Sequence, residues 1–124
     1  MAGSFRDLKI WMKGYELLME IYELTSRYPV EERFNLVSQT RSSANGVIAS
    51  IAEAHGRFYY ADKSRVLYIS RGECEETQSH LSVASGKGYI SKVVFDRLDR
   101  EYEGSSKGLN SYILSLRRSR RDET

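Results

Sequence analysis

This chain is poor in the residues that usually mark a chemical site. Its 124 residues include two histidines, one cysteine and one proline. Cys74 has no second thiol to pair with, which excludes an internal disulfide and makes a reducing cytoplasm the expected setting. Two histidines and one cysteine are too few ligands for a zinc site unless carboxylates are recruited. Cys74 and His80 stand about 600° apart around a helix, which does not favour a nucleophile–base pair. The Glu-x-x-His pattern of di-iron bundles is absent. No glycine-rich phosphate loop follows a strand, because no segment shows strand alternation. No apolar run approaches the roughly 20 residues that span a bilayer. The opening MAGSFRDLKI lacks the basic-then-apolar order of a signal peptide. No enzyme, cofactor, metal or membrane partner is therefore expected.

Charge is unevenly placed. The chain holds 19 basic and 17 acidic residues, a net charge of +2. The final RRSRRDET carries the whole excess, so residues 1–116 are neutral. That weighs against the whole domain attracting nucleic acid, and leaves a local patch at Arg117, Arg118, Arg120 and Arg121. We divide the chain into a domain over 1–116 and a short basic tail over 117–124. One domain of this length buries roughly two-thirds of its unfolded surface.

What is abundant is helical periodicity. The first helix is predicted over 7 to about 27, with Leu8, Trp11, Tyr15, Leu18 and Tyr22 as its bundle seam. A second apolar stripe, Ile10, Leu17, Ile21 and Leu24, lies nearly opposite and is expected to meet another subunit. Pro29 ends this helix. The second helix is predicted over about 32 to 55, with Glu31 and Glu32 at its positive end and Gly56 as its stop. The third runs from about 61 to 85 along a seam of small residues, and Gly86 and Gly88 end it. The fourth begins at the N-cap Ser91, with Ile90 and Phe95 as a hydrophobic staple. Gly104 to Gly108 is expected to bend or fray. The predicted fold is an all-α, antiparallel up-down-up-down four-helix bundle.

The segment QTRSSANGVIASIAEAHGR, Gln39 to Arg57, combines small residues with helical spacing and suits close helix contact. Gln39, Arg41, Glu53, Arg57 and Glu76 are expected to form a polar packing network, with the acids paired to Arg41, Arg57 or Arg71 across the second and third helices. A polar pocket or partner-binding surface is the alternative. The terminal arginines suit the negative end of a helix dipole, but four exceed that need. Gathered on the rim of an oligomer, they would bind phosphates with strong salt dependence. Arg57, with Tyr59 and Tyr60 beside it, is a further candidate for nucleic acid, although aromatics at a helix junction also serve packing.

Several motifs occur in order along nearly the whole chain: FRDLKIW, YELTSRYP, Gln39-x-Arg41, Ile51-Ala52-Glu53, Gly56-Arg57, Arg65-x-Leu67-x-Ile69, Gly72-x-x-x-Glu76, Gly88-Tyr89-Ile90-Ser91 and LNSYILSL. In this order they resemble the four-helix-bundle family of 23S rRNA-intervening sequence proteins, the S23 type. Ser50, Ala54, Lys63 and Glu73 depart from its usual residues. The resemblance implies a bundle assembled into a ring, typically a homopentamer. It also implies kinship with the accessory proteins of diversity-generating retroelements, whose basic ring binds a reverse transcriptase and nucleic acid. The expected function is thus a non-enzymatic oligomeric scaffold or adaptor for RNA, DNA or a nucleic-acid-processing protein. The alternative is a homo-oligomeric ring that binds protein only.

Overall fold

Caps, proline and glycine decide where the helices of this chain start and stop. The computed structural model describes residues 3–122, and side chains as far as residue 120. Four helices carry the fold: α1 (Lys9–Thr25), α2 (Leu36–Gly56), α3 (Tyr60–Gly86) and α4 (Lys92–Asp122). Short 3-10 turns at Phe5–Asp7 and Val30–Glu32 precede the first two, and no strand occurs among the described residues.

The first 3-10 turn closes with a capping box. Ser4 Oγ accepts the Arg6 amide, and the Asp7 carboxylate accepts the Ser4 amide. Past Pro29, the 3-10 turn delays α2 to Leu36, four residues beyond the predicted start. Glu32 stays at that start: its carboxylate accepts Asn35 Nδ2 at 3.2 Å and the Leu36 amide at 3.4 Å. Its other oxygen accepts the Tyr89 hydroxyl at 2.8 Å, which ties the α3–α4 turn to the head of α2. That hydrogen bond is the main reason the Glu32 pKa lies below its usual value.

Helix α3 ends in a Schellman turn. Tyr89 N donates to Ala84 O, and Gly88 N to Ser85 O, with Gly88 at a φ of +76°. A β-carbon strains that conformation, so glycine belongs there. Ser91 Oγ then accepts the Val94 amide at 3.2 Å and starts α4, with Ile90 buried and Phe95 half-buried as the staple requires.

Helices adjacent in sequence pack together, and α4 closes lightly on α1. The closest pair is α2–α3, as their small seams predict. Ser43, Ala44 and Val47 meet a face of Ser70, Cys74 and Thr77, all buried. Two polar bonds cross this seam at 2.7 Å: Ser70 Oγ donates to Val47 O, and the Ser43 and Thr77 hydroxyls share a hydrogen bond. Between α1 and α4 the links are the ion pairs Lys13–Glu101 and Glu20–Arg97, both 2.7 Å. These half-exposed pairs contribute at most about 1 kcal/mol each.

Two expectations need correction. First, the second stripe of α1 lies inward, and the first is split, with Leu18 buried and Leu8 and Trp11 packed against the core. Leu17 and Ile21, expected at a subunit interface, are 0% exposed in the core of a single chain. Their companions Ile10 and Leu24 pack part-buried against the same core. In the stripe expected to face inward, Tyr15 and Tyr22 are each 44% exposed. Gly14 explains the choice. It lets Ile48 of α2 come so close that a β-carbon at position 14 would lie 2.5 Å from Ile48 Cγ2. The face through Gly14, Leu17, Leu18, Ile21 and Thr25 is therefore the inward one. Second, Gly104 to Gly108 does not interrupt α4, which is continuous from Lys92 to Asp122. Gly108 sits against Ile10, and buried Leu109 and Ile113 carry the seam onward. The basic run begun at Arg117 is therefore the last part of α4, with no break after residue 116.

Candidate nucleic-acid interface

The α2–α3 connection is short and stiffly held. Arg57 caps α2 by donating its amide to Ala54 O at 3.1 Å. Lys63, one turn into α3, turns back and donates its Nζ to Ala54 O at 3.2 Å and His55 O at 3.1 Å. A cation at the carbonyl end of a helix is favoured by the dipole and satisfies orphan acceptors. Lys63 thus has a local purpose at the end of α2.

Held in this way, the connection points Phe58 and Tyr59 outward, 86% and 68% exposed. Their rings meet edge to face with centroids 5.0 Å apart. Tyr60 turns the other way, toward α4, where the Arg120 guanidinium lies 5.3 Å from its ring centroid. The three aromatics, Leu116 and Arg120 border a cleft of about 600 Å³, and no acidic side chain lines it among the described residues.

The predicted residues for nucleic acid are distributed as follows. Arg117, Arg118 and Arg120 are exposed on α4, and no carboxylate pairs with them among the described residues. The side chain of Arg121 lies outside the described residues. Arg57 is bound to Glu53 on its own helix, and that hydrogen bond raises the guanidinium pKa. Tyr60 packs against Arg120, whereas Tyr59 is open. Phe58 was missed. The signal was present as three consecutive aromatics after a helix-ending glycine, but only the fold shows that the first two face solvent.

Of the expected polar network, the Glu53–Arg57 pair forms, but no pairing among these residues crosses from α2 to α3 among the described residues. Gln39 donates to Asn35 at 3.0 Å, Glu53 pairs with Arg57, and Glu76 lies 3.4 Å from His80; each contact stays local in sequence. Arg41 alone leaves its helix, and it reaches α1. Its Nε donates to Thr25 Oγ1 at 2.9 Å and its guanidinium lies 4.7 Å from the Tyr22 ring centroid. The hydroxyls of Ser43, Ser70 and Thr77 take the polar role across the α2–α3 seam. A carboxylate between such close helices would be desolvated without room for its partner.

A second surface lies on the outside of α1 and α2. Met12, Tyr15, Met19 and Tyr22 form an exposed line on α1, with Trp11 stacked on Tyr15 at 5.2 Å. Tyr22 borders the same depression as Phe34, Ser38, Ser42 and Asn45. From Leu36 to Ala52 the only charged residue is Arg41. Aromatic and methionine enrichment, few charges and an arginine together match the composition of protein interfaces.

Chemistry at the remaining groups is limited. Cys74 is fully buried, and burial pushes its thiol up to about 11. No cluster of three or more His, Cys, Asp or Glu that could hold a metal occurs among the described residues, and no helix there is long and apolar enough to cross a membrane.

The model of the 23S rRNA-intervening sequence protein family matches residues 6–111. Among solved structures, the chain is similar to a protein of unknown function from the S23 ribosomal protein family of Bacteroides thetaiotaomicron VPI-5482. The two share 25% identity with a TM-score of 0.77, over 84% of this chain and 94% of the other. No curated protein matches.

Proposed function

We propose, for a chain that belongs to the 23S rRNA-intervening sequence protein family, a non-enzymatic role as a self-associating helical scaffold that binds nucleic acid at the end of its bundle. One observation carries this reading. Arg117, Arg118 and Arg120 stand exposed on α4, without carboxylate partners among the described residues, and Arg120 lies beside the aromatics of the α2–α3 connection. Arginines so placed are available to phosphates, and their binding would release counterions.

Assembly is the second part of the proposal. Lys13–Glu101 taken with Glu20–Arg97, and Ser43–Thr77 taken with Val47–Ser70, support an antiparallel up-down-up-down bundle, since residue number rises along one helix as it falls along its partner. The α1–α2 face, whose depression carries Arg33 and Arg41, supports a contact between copies, in place of the Leu17–Ile21 stripe. A ring, with the homopentamer that the family resemblance implies, would gather the arginines of every copy. Kinship with the accessory proteins of diversity-generating retroelements and a cytoplasmic location belong to the same proposal. A ring that binds protein only is the second reading, favoured by the composition of the α1–α2 face alone.

Titration of labelled RNA by fluorescence anisotropy tests the nucleic-acid role. The expected result is binding that weakens steeply with salt, and that weakens further when Arg117, Arg118, Arg120 and Arg121 are all replaced by Ser. Unchanged affinity in that variant would remove the arginines from the function. No binding by the native chain at low salt would favour the protein-only ring.

A further inference from the structure

We infer that the cleft at the α2–α3 connection takes single-stranded nucleic acid in preference to duplex, stacking unpaired bases on Phe58 and Tyr59 while Arg120 meets the backbone. This rests on the nucleic-acid role proposed above and adds the class of ligand and the residues that select it.

The two rings are the starting point. Phe58 and Tyr59 are adjacent, large and mostly in solvent, and their aromatic contact is with each other. Exposed rings of this size leave a large apolar area unburied. Their backbone is not loose, because the Lys63 ammonium and the Arg57 amide lock the last carbonyls of α2 on one side and α3 begins at once on the other. The rings are thus presented from a braced turn, which lowers the ordering cost of a partner that covers them.

Charge selects the partner. The cations bordering the cleft are Lys63 and Arg120. Lys63 is engaged with the α2 carbonyls, so Arg120 is the group left to face a ligand. Its guanidinium rests on the Tyr60 ring, a geometry that positions the cation and leaves its edge N–H groups for an anion. Arg117 lies about one turn earlier on the same helix. A partner that combines flat apolar faces with regularly spaced negative charge fits this set, and a nucleic-acid strand has both.

The strand must be unpaired. In a duplex the base faces are stacked on one another, and only edges and phosphates are accessible. Side-chain rings reach base faces only where bases are splayed. Arginines alone do not make this distinction, since they read phosphates on either form.

The test uses the protein with three labelled probes of equal length: oligo-uridine, oligo-deoxyuridine and an RNA duplex, each titrated by anisotropy across a series of salt concentrations. Tighter binding of the single strands is expected, and the tighter of the two names the sugar. Phe58→Ala and Tyr59→Ala should each weaken single-strand binding by roughly 5- to 150-fold. Both should leave duplex binding and the salt slope unchanged. Arg120→Ser should instead lower the salt slope by about one for either form. Because both aromatic side chains are exposed, unchanged thermal melting controls for folding. Equal affinity for single strand and duplex, untouched by Phe58→Ala and Tyr59→Ala, overturns the inference and leaves the arginine-based role standing. Binding of a poly-glutamate peptide as tight as that of the single strands also overturns it, by showing that negative charge alone is read. Failure to bind any probe removes the underlying role, and the inference with it.

Discussion

The carboxylate of Glu73 on α3 lies across Gly46 on α2, in the space that a β-carbon on that glycine would occupy. The contact is specific to this pair: glycine leaves the opening and a long acidic side chain fills it. Burial raises the Glu73 pKa above its usual value, and the nearby Glu76 adds to the shift by hydrogen bond and by charge. An acid whose folded pKa is raised binds its proton more tightly in the fold than in the unfolded chain. That stability is present below the unfolded carboxylate pKa and is lost as pH rises through the folded one. Glu73→Gln should therefore raise stability at pH 7, with an advantage that shrinks below about pH 4. Urea unfolding at the two pH values measures this, and a variant no more stable than the native chain at neutral pH would contradict it.

Two glycines should respond to alanine in opposite directions. At Gly14 the new methyl would meet Ile48 Cγ2, a buried branch that cannot swing aside, and overpacking should cost about 1–3 kcal/mol. At Gly104 nothing lies within 4 Å of the new atom, so the better helix former should contribute about 1 kcal/mol of stability. Denaturant midpoints of the two variants should move to opposite sides of the native value.

Cys74 should be chemically silent in the folded protein. It is fully buried and its thiol is pushed up to about 11, chiefly by burial, so little thiolate exists near neutral pH and none is accessible. Alkylation at about pH 8 should proceed only as fast as the fold opens, and should become rapid in denaturant. Labelling of the native chain at the rate of a small free thiol would show the site to be open.

The α1–α2 face should control assembly without controlling folding. Tyr15→Glu combined with Met19→Glu places two charges in the middle of the exposed apolar line, at positions that do not enter the core. Helical content should be retained while solution mass by sedimentation falls. Leu17→Glu, by contrast, should unfold the chain, because Leu17 is core. A native chain that sediments as a monomer would refute the assembly.

Much of the helical layout was legible because its determinants are local. Pro29, Gly88 and Ser91 act on their own turns, and the small residues of Gln39 to Arg57 find their match in the third helix. Polar partners were harder to read. Glu53 and Glu76 each had several basic residues within plausible reach, and they chose neighbours on their own helices. An i,i+4 contact on an exposed surface avoids the desolvation that the close α2–α3 seam would impose.

The amino-acid sequence by itself determined the helix count, most of the helix ends, the family and the concentration of positive charge at the last turns, because caps, periodicity and composition are properties of neighbouring residues. Tertiary structure alone decided which stripe of α1 is core, since two opposed apolar faces are equivalent until Gly14 lets Ile48 approach one of them. It also decided that Phe58 and Tyr59 stand open beside Arg120. Sixty residues separate Tyr60 from Arg120, and only the packing of α4 along α3 brings that cation to the aromatic turn.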